Sequence, residues 1–184
     1  MKGLPGALVV TDACCLINLY ATGRAEDLVT RLGLRMVMAP AVLAQARSLR
    51  GPRDPDTEQY TRLPIDTTPL IQAGCLRTED PDNTLLVEGI VAGLSETDAS
   101  ALAVARGLNT PLLTDDRFVV RITHELAPQI ECIGTLELIR AYLEVIRPPT
   151  EDIGLLFERL RDAGRFVPGP RTPGYAWYRE VMGR

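Results

Sequence analysis

Apolar residues along this chain fall into two rhythms. Short, mostly aliphatic runs occur at residues 7–11 ("ALVVT"), 35–39 ("RMVMA"), 111–114 ("PLLT") and 130–134 ("IECIG"). Their length and continuity predict strands buried on both faces. Between them the apolar positions recur every three or four residues. Residues 13–21 predict a short helix, and "AEDLVTRLG" (25–33) a second, with acids early, Leu28 and Leu32 four apart, and Gly33 placed to end it. Pro40 leads into "AVLAQARSLR" (41–50), with Val42, Leu43, Ala46 and Leu49 on one side. A helix is expected over 81–93, and "SETDASALAVARGLN" (95–109) predicts a buried one, almost uniformly apolar after Asp98. "RFVVRITHEL" (117–126) and "TLELIRAYLEVI" (135–146) carry aligned apolar stripes. Thr150 is expected to cap a last helix over 151–163, ended by Gly164. Residues 51–68, rich in Pro, Asp and Thr, read as an exposed loop, and the last twenty residues show no clear period.

Strands alternating with helices imply a parallel sheet, because parallel neighbours need a crossover. The expected fold is α/β, a three-layer α/β/α sandwich with a mainly parallel sheet. The main domain is expected over 1–147, followed by a C-terminal helix and a tail rich in Arg and aromatics over 148–184. In such sheets ligands bind beyond the carboxyl ends of the strands.

Composition narrows the class. At 184 residues, 46% hydrophobic and 24% charged, the chain resembles an ordinary soluble domain. No apolar run approaches the roughly 20 residues of a membrane span. The first apolar stretch is broken by Thr11 and Asp12, unlike a signal peptide, so a cytoplasmic protein without membrane contact is expected. Cys14, Cys15, Cys75 and Cys132 have no metal-ligand spacing, and His124 is the only histidine. The cysteines read as small buried packing residues, and His124 as a helix-surface residue. A net charge of −4 argues against tight non-specific duplex binding but leaves room for a local basic rim.

The chemistry lies in the acids. Asp12 closes the first strand, Asp115 and Asp116 close "PLLT", and Asp98 lies in the first turn of the buried helix. A parallel sheet brings these positions to one edge. Each is also a good helix-start residue, and Ser95 and Asp98 have capping-box spacing. Clustered carboxylates repel, and a divalent cation relieves that repulsion. A set without His or Cys suits Mg²⁺ or Mn²⁺, the chemistry of phosphodiester hydrolysis.

Three segments in order, "VVTDACCLINLY", "MAPAVLAQA" and "SETDASALAVARGLNTPLLTDDRF", together with "GTLELI", resemble a PIN domain, the nuclease fold of many prokaryotic toxins and RNA-processing enzymes. The resemblance covers roughly residues 7–146. It implies a metal-dependent ribonuclease with Asp12, Asp98, Asp115 and Asp116 as catalytic metal ligands. Asn18 and Thr114 stand where the family often has polar residues near the pocket, and Glu96 is a possible auxiliary acid. It also implies an RNA substrate and an antitoxin partner if the chain is a toxin; separately, a homo-oligomer is expected. One position departs: where the family usually has Glu, this chain has Gln45. Either the second-metal affinity falls, or Asp54, Asp56 or Glu58 takes the role. The alternative function is a degenerate PIN module that binds RNA or protein without cutting. In the tail, Arg165, Arg171, Arg179 and Arg184 interleave with Phe166, Tyr175, Trp177 and Tyr178. Packing on its own domain or a subunit interface is expected there ahead of RNA stacking.

Overall fold

The computed structural model describes residue 4 and residues 6–183. Lys2, the chain's single lysine, and Arg184 of the tail lie outside the described residues. The chain begins with β1 (Leu8–Thr11), α1 (Ala13–Ala21), α2 (Ala25–Leu32), β2 (Arg35–Met38) and α3 (Pro40–Gln45). There follow β3 (Ser48–Arg53), β4 (Tyr60–Pro64), α4 (Thr68–Gln72), β5 (Leu76–Thr78), α5 (Asn83–Val91) and α6 (Glu96–Leu108). The last elements are β6 (Leu112–Leu113), α7 (Arg117–Leu126), β7 (Cys132–Ile133), α8 (Thr135–Ile146), α9 (Thr150–Asp162) and α10 (Tyr175–Val181).

Five strands form one parallel sheet in the order β5-β2-β1-β6-β7. Val9, Val10, Met36, Val37, Met38, Leu112 and Leu113 are all buried, as expected of strands covered on both faces. Helices flank the sheet, which is the expected α/β architecture. On one side α1, α2, α8 and α9 pack together; α6 packs on β1, β6, α3 and α5. Tyr142 of α8 is fully buried, and its hydroxyl donates to Asp27 of α2. Among the described residues, no helix is long and apolar enough to cross a membrane.

Several sequence expectations need correction. The segment read as a loop over 51–68 belongs largely to an antiparallel hairpin of β3 and β4. β4 is exposed along its whole length, so no alternation of apolar residues marks it. Pro52, which has no amide to donate, sits where the pairing register breaks between Arg50 and Arg53. The helix expected to run to residue 50 stops at Gln45, and Leu49 pairs with Leu63 in the hairpin instead. β5, at the sheet edge, buries only Leu76, and it went unread for the same reason as β4. Pro149, rather than Thr150, precedes the first residue of α9, and no side chain caps that helix.

The chain after residue 147 shares the core of the rest. Leu156, Phe157 and Leu160 of α9 are buried with the sheet residues. Phe157 meets Trp177 edge-on at 6.2 Å and Tyr178 at 4.9 Å, so α10 is held against α9 by aromatic contacts of about 0.5–1.5 kcal/mol each.

The α5–α6 crossing sets the position of Asp98. A Cβ at Gly89 of α5 would lie 2.9 Å from the Ala99 Cβ and 3.2 Å from its Cα, so only glycine permits this approach. In an open helix Gly→Ala stabilises by about 1 kcal/mol. Here overpacking, typically about 1–3 kcal/mol, opposes that gain. Gly89→Ala is therefore expected to lower the melting temperature, and a variant that melts higher than the parent would show the crossing to be loose.

Candidate active site

The strand order reverses between β1 and β6. β2 and β5 extend to one side of β1, and β6 and β7 to the other. The two strands run parallel, with Val10 beside Leu112 and Thr11 beside Leu113. Their next residues, Asp12 on one chain end and Thr114 then Asp115 on the other, therefore emerge side by side. At such a switch point the flanking connections diverge and leave a crevice.

The four sequence-predicted acids all accept hydrogen bonds, three of them within the helix starts that they precede or open. Asp12, almost fully buried, caps α1 by accepting from the Cys15 amide at 2.6 Å. Asp116 caps α7 by accepting from the amides of Phe118 (2.7 Å) and Val119 (3.4 Å). Asp98 shares a reciprocal pair with Ser95: its amide donates to the Ser95 hydroxyl oxygen at 3.2 Å, and that hydroxyl donates back to the Asp98 carboxylate at 2.6 Å. The cap readings hold for Asp12 and Asp116, while at Asp98 only the Ser95 half of the box forms. Oδ2 of Asp116 and Oδ1 of Asp98 are left without a hydrogen bond to the described residues, whereas Asp12 also accepts from the Thr114 hydroxyl. Asp115 differs. It accepts from the Thr135 amide at 2.8 Å, from the Thr135 hydroxyl, from the Asn18 amide at 3.1 Å and from the Cys15 thiol at 3.6 Å. One carboxylate thus ties the end of β6 to α1 and to the start of α8.

The charges of all four acids reach Cys14. Its thiol is pushed up to about 11, first by partial burial and then by the charges of Asp12, Asp115, Asp98 and Asp116 together. Cys15 is raised as well, chiefly by burial. Neither is therefore a thiolate nucleophile at neutral pH. Cys15 is the packing residue expected, whereas Cys14 is exposed and lines the crevice. Burial lifts the Asp12 carboxyl from 3.8 to about 6, and the neighbouring Asp115 charge adds to this; the Cys15 amide and the Thr114 hydroxyl pull the other way. No arginine forms an ion pair with any of the four acids among the described residues.

This uncompensated, all-oxygen donor set fits a hard divalent cation in its chemistry. Among the described residues, no three His, Cys, Asp or Glu side chains stand close enough together to share one ion as they are placed. Gln45 ends α3 with an exposed side chain that does not line the crevice. Asp54 and Glu58 do not replace it. Asp54 accepts from the amides of Asp56 and Thr57 at the hairpin tip, and Glu58 pairs with Arg53. Asp56 and Glu96 are exposed, as is His124 on α7.

The crevice opens into a groove of about 960 Å³, at the large end of the roughly 300–1,000 Å³ usual for ligand clefts. The turn between β6 and α7 lines it with Asp115 and Asp116, and α1 with Cys14 and Asn18. The hairpin contributes Arg50, Tyr60 and Arg62, and the turn after α9 contributes Arg165 and Phe166. The hairpin's share of this basic wall, and the role of Thr135 as the anchor of Asp115, were missed in the sequence, while Arg165 and Phe166 were named only as part of the tail. The "GT" opening "GTLELI" marked Thr135. Nothing marked the hairpin, because its pairing is not written in an apolar pattern. Arg165 holds a left-handed backbone at φ 60, which costs a residue with a side chain about 1–2 kcal/mol.

The pH dependence of the metal-free protein follows from Asp12. Its pKa is higher folded than unfolded, so the fold binds the extra proton between those values, and stability falls as pH rises from about 4 to about 6. A shift from 3.8 to about 6 corresponds to something on the order of 3 kcal/mol. Asp12→Asn keeps a capping oxygen and removes the charge. In EDTA it is expected to melt higher than the parent at pH 7 and to match it near pH 4. Equal melting temperatures at both pH values would show that Asp12 is not desolvated.

A family model described as a PIN domain matches residues 8–171. Two archaeal structures are similar. The PilT N-terminus domain protein SSO1118 from Sulfolobus solfataricus P2 is 19% identical, over 74% of this chain and 94% of that one, with a TM-score of 0.43. PAE2754 from Pyrobaculum aerophilum is 16% identical, over 77% of this chain and 99% of that one, with a TM-score of 0.44. No curated protein matches significantly. The family match runs from β1 through the switch point and past α9, taking in all four acids, and on that extent the chain belongs to the PIN-domain family.

Proposed function

We propose that this protein is a metal-dependent ribonuclease that cuts RNA phosphodiester bonds at the β1–β6 switch point. PIN domains are typically metal-dependent nucleases and generally use divalent ions. The observation that supports the proposal is the emergence of Asp12 and Asp115 side by side from β1 and β6, with the charges of Asp98 and Asp116 also reaching Cys14 and no arginine ion-paired to any of the four among the described residues. Asp12, Asp98 and Asp116 would hold Mg²⁺ or Mn²⁺ once drawn closer together than they stand here, Asp98 and Asp116 through the oxygens that their hydrogen bonds leave open. Asp115 joins them with its orientation locked by Thr135 and Asn18. Such a cation supplies polarisation of the phosphoryl oxygen and a lower pKa for bound water. The chain itself supplies placement: the acids are held by caps and by Thr135, and arginines on the far elements of the groove receive the phosphates. A role as the toxin of a toxin–antitoxin pair, with an antitoxin partner, is proposed alongside on the strength of the resemblance, and a homo-oligomeric assembly separately from it.

A second reading, a module that binds RNA or protein without cutting, is favoured by Gln45, whose amide carries no charge for a second ion. Calorimetric titration with Mn²⁺ and a cleavage assay on single-stranded RNA separate the two. The nuclease reading expects saturable Mn²⁺ binding and a cleavage rate that Asp98→Asn lowers more than about 100-fold, beyond the 10–100-fold typical of an outer-shell change, with the fold intact. Undiminished cleavage would leave Asp98 as a helix cap alone. Gln45→Glu is expected to tighten Mn²⁺ binding; unchanged affinity would show that the position has no part in the site.

A further inference from the structure

The groove wall away from the carboxylates is built from two segments that the fold joins. The Arg50 amide in β3 donates to the Ala163 carbonyl at 3.0 Å, so the hairpin is fastened to the end of α9. Immediately after that carbonyl, Gly164 passes so close to α1 that a Cβ there would lie 2.9 Å from the Asn18 Oδ1 and 3.0 Å from the Ala21 Cβ. The Phe166 amide then turns back to the Leu160 carbonyl at 3.1 Å, and the left-handed Arg165 between them reaches the groove. A left-handed backbone at a helix end is the usual place for Gly or Asn. Arg50 lies over the ring of Tyr60, 3.2 Å from its centroid, and that ring is half exposed. Arg50, Arg62 and Arg165 make no ion pair among the described residues.

Given that the groove takes RNA, as proposed above, we propose that the hairpin and the Gly164–Arg165 turn form a single-strand clamp, in which Arg62 and Arg165 hold backbone phosphates and the Tyr60–Arg50 pair stacks an unpaired base. Guanidinium groups without ion pairs beside an exposed ring suit a strand that presents phosphates and base faces at once, which a duplex does not. An acidic peptide would satisfy the arginines but would put nothing flat against the exposed part of the Tyr60 ring that Arg50 leaves uncovered. The left-handed backbone at Arg165 is then a stability cost retained for substrate placement.

The test is fluorescence-anisotropy titration of a labelled single-stranded RNA 12-mer in EDTA, so that binding is read without cleavage, paired with thermal melts. Arg165→Gly is expected to melt at or above the parent and yet bind RNA several-fold more weakly, with a shallower salt dependence by about one charge. Arg147→Gly is the control. Arg147 ends α8 with the same left-handed backbone, at φ 47, but does not line the groove. It is expected to match Arg165→Gly in melting and the parent in RNA binding. Tyr60→Ala is expected to weaken single-strand binding roughly tenfold, a typical loss for one stacked base, to leave weak duplex binding unchanged, and to be rescued by Tyr60→Phe. RNA binding unchanged in both Arg165→Gly and Tyr60→Ala would overturn the clamp. So would a poly-glutamate peptide that binds more tightly than RNA and depends on Arg62 and Arg165, which would assign the wall to an acidic protein segment. Loss of Mn²⁺-dependent cleavage as a property, with clamp-dependent binding intact, would instead remove the nuclease reading and leave the clamp standing.

Discussion

The parallel contact between β1 and β6 is the constraint on which the rest of the molecule turns. Once Thr11 lies beside Leu113, the next residues of the two strands must emerge at the same edge, and connections that leave in opposite directions cannot close over them. Asp12 and Asp115 are brought together there although about a hundred positions separate them in the chain. Asp115 then fixes its surroundings. By accepting from Thr135, Asn18 and Cys15 it draws the starts of α8 and α1 onto the end of β6. α6, which packs on both strands, carries Asp98 in its first turn, near enough for its charge to reach Cys14.

Capping and chemistry draw on the same atoms at this edge. A helix start favours a carboxylate because its free amides and dipole favour negative charge. Three helix starts meeting at one crevice therefore collect three carboxylates for local reasons alone, and Asp115 adds a fourth. Locally each is satisfied; together they are not. The burial that raises Asp12 and the four charges that raise Cys14 are the physical record of that conflict. It is the condition in which a bound cation gains most from a site and the metal-free fold loses most.

The basic wall bears on a different difficulty, namely how a chain of net charge −4 would receive the RNA proposed as its substrate. The answer is local. Arginines are concentrated on the hairpin and on the turn after α9, joined through the Arg50 amide and the Ala163 carbonyl, while the acids stay at the sheet edge. The groove between them has opposite charge on its different elements, which suits a phosphodiester held by its backbone at one place and reacting at another. The tail divides between these duties: Trp177 and Tyr178 pack on Phe157, and Arg165 and Phe166 face the groove.

The sequence by itself determined whatever rests on burial or on local capping. β1 and β2 announce themselves because a strand covered on both faces must be continuously apolar, and α6 because a buried helix must be apolar all round. Asp12 and Asp116 were legible as caps, and with Asp98 and Asp115 as candidates for one edge, because a parallel sheet has only one carboxyl edge to offer. β4 and β5 were not legible, since an exposed strand and a sheet-edge strand bury too little to leave a pattern, and their pairing is decided by partners far along the chain. For the same reason only the tertiary structure could bring Arg50, Tyr60, Arg62 and Arg165 into one groove, anchor Asp115 on Thr135, and turn Cys14 outward beside Cys15. These are contacts across separations of many residues, set by how the layers pack, and no local periodicity encodes them.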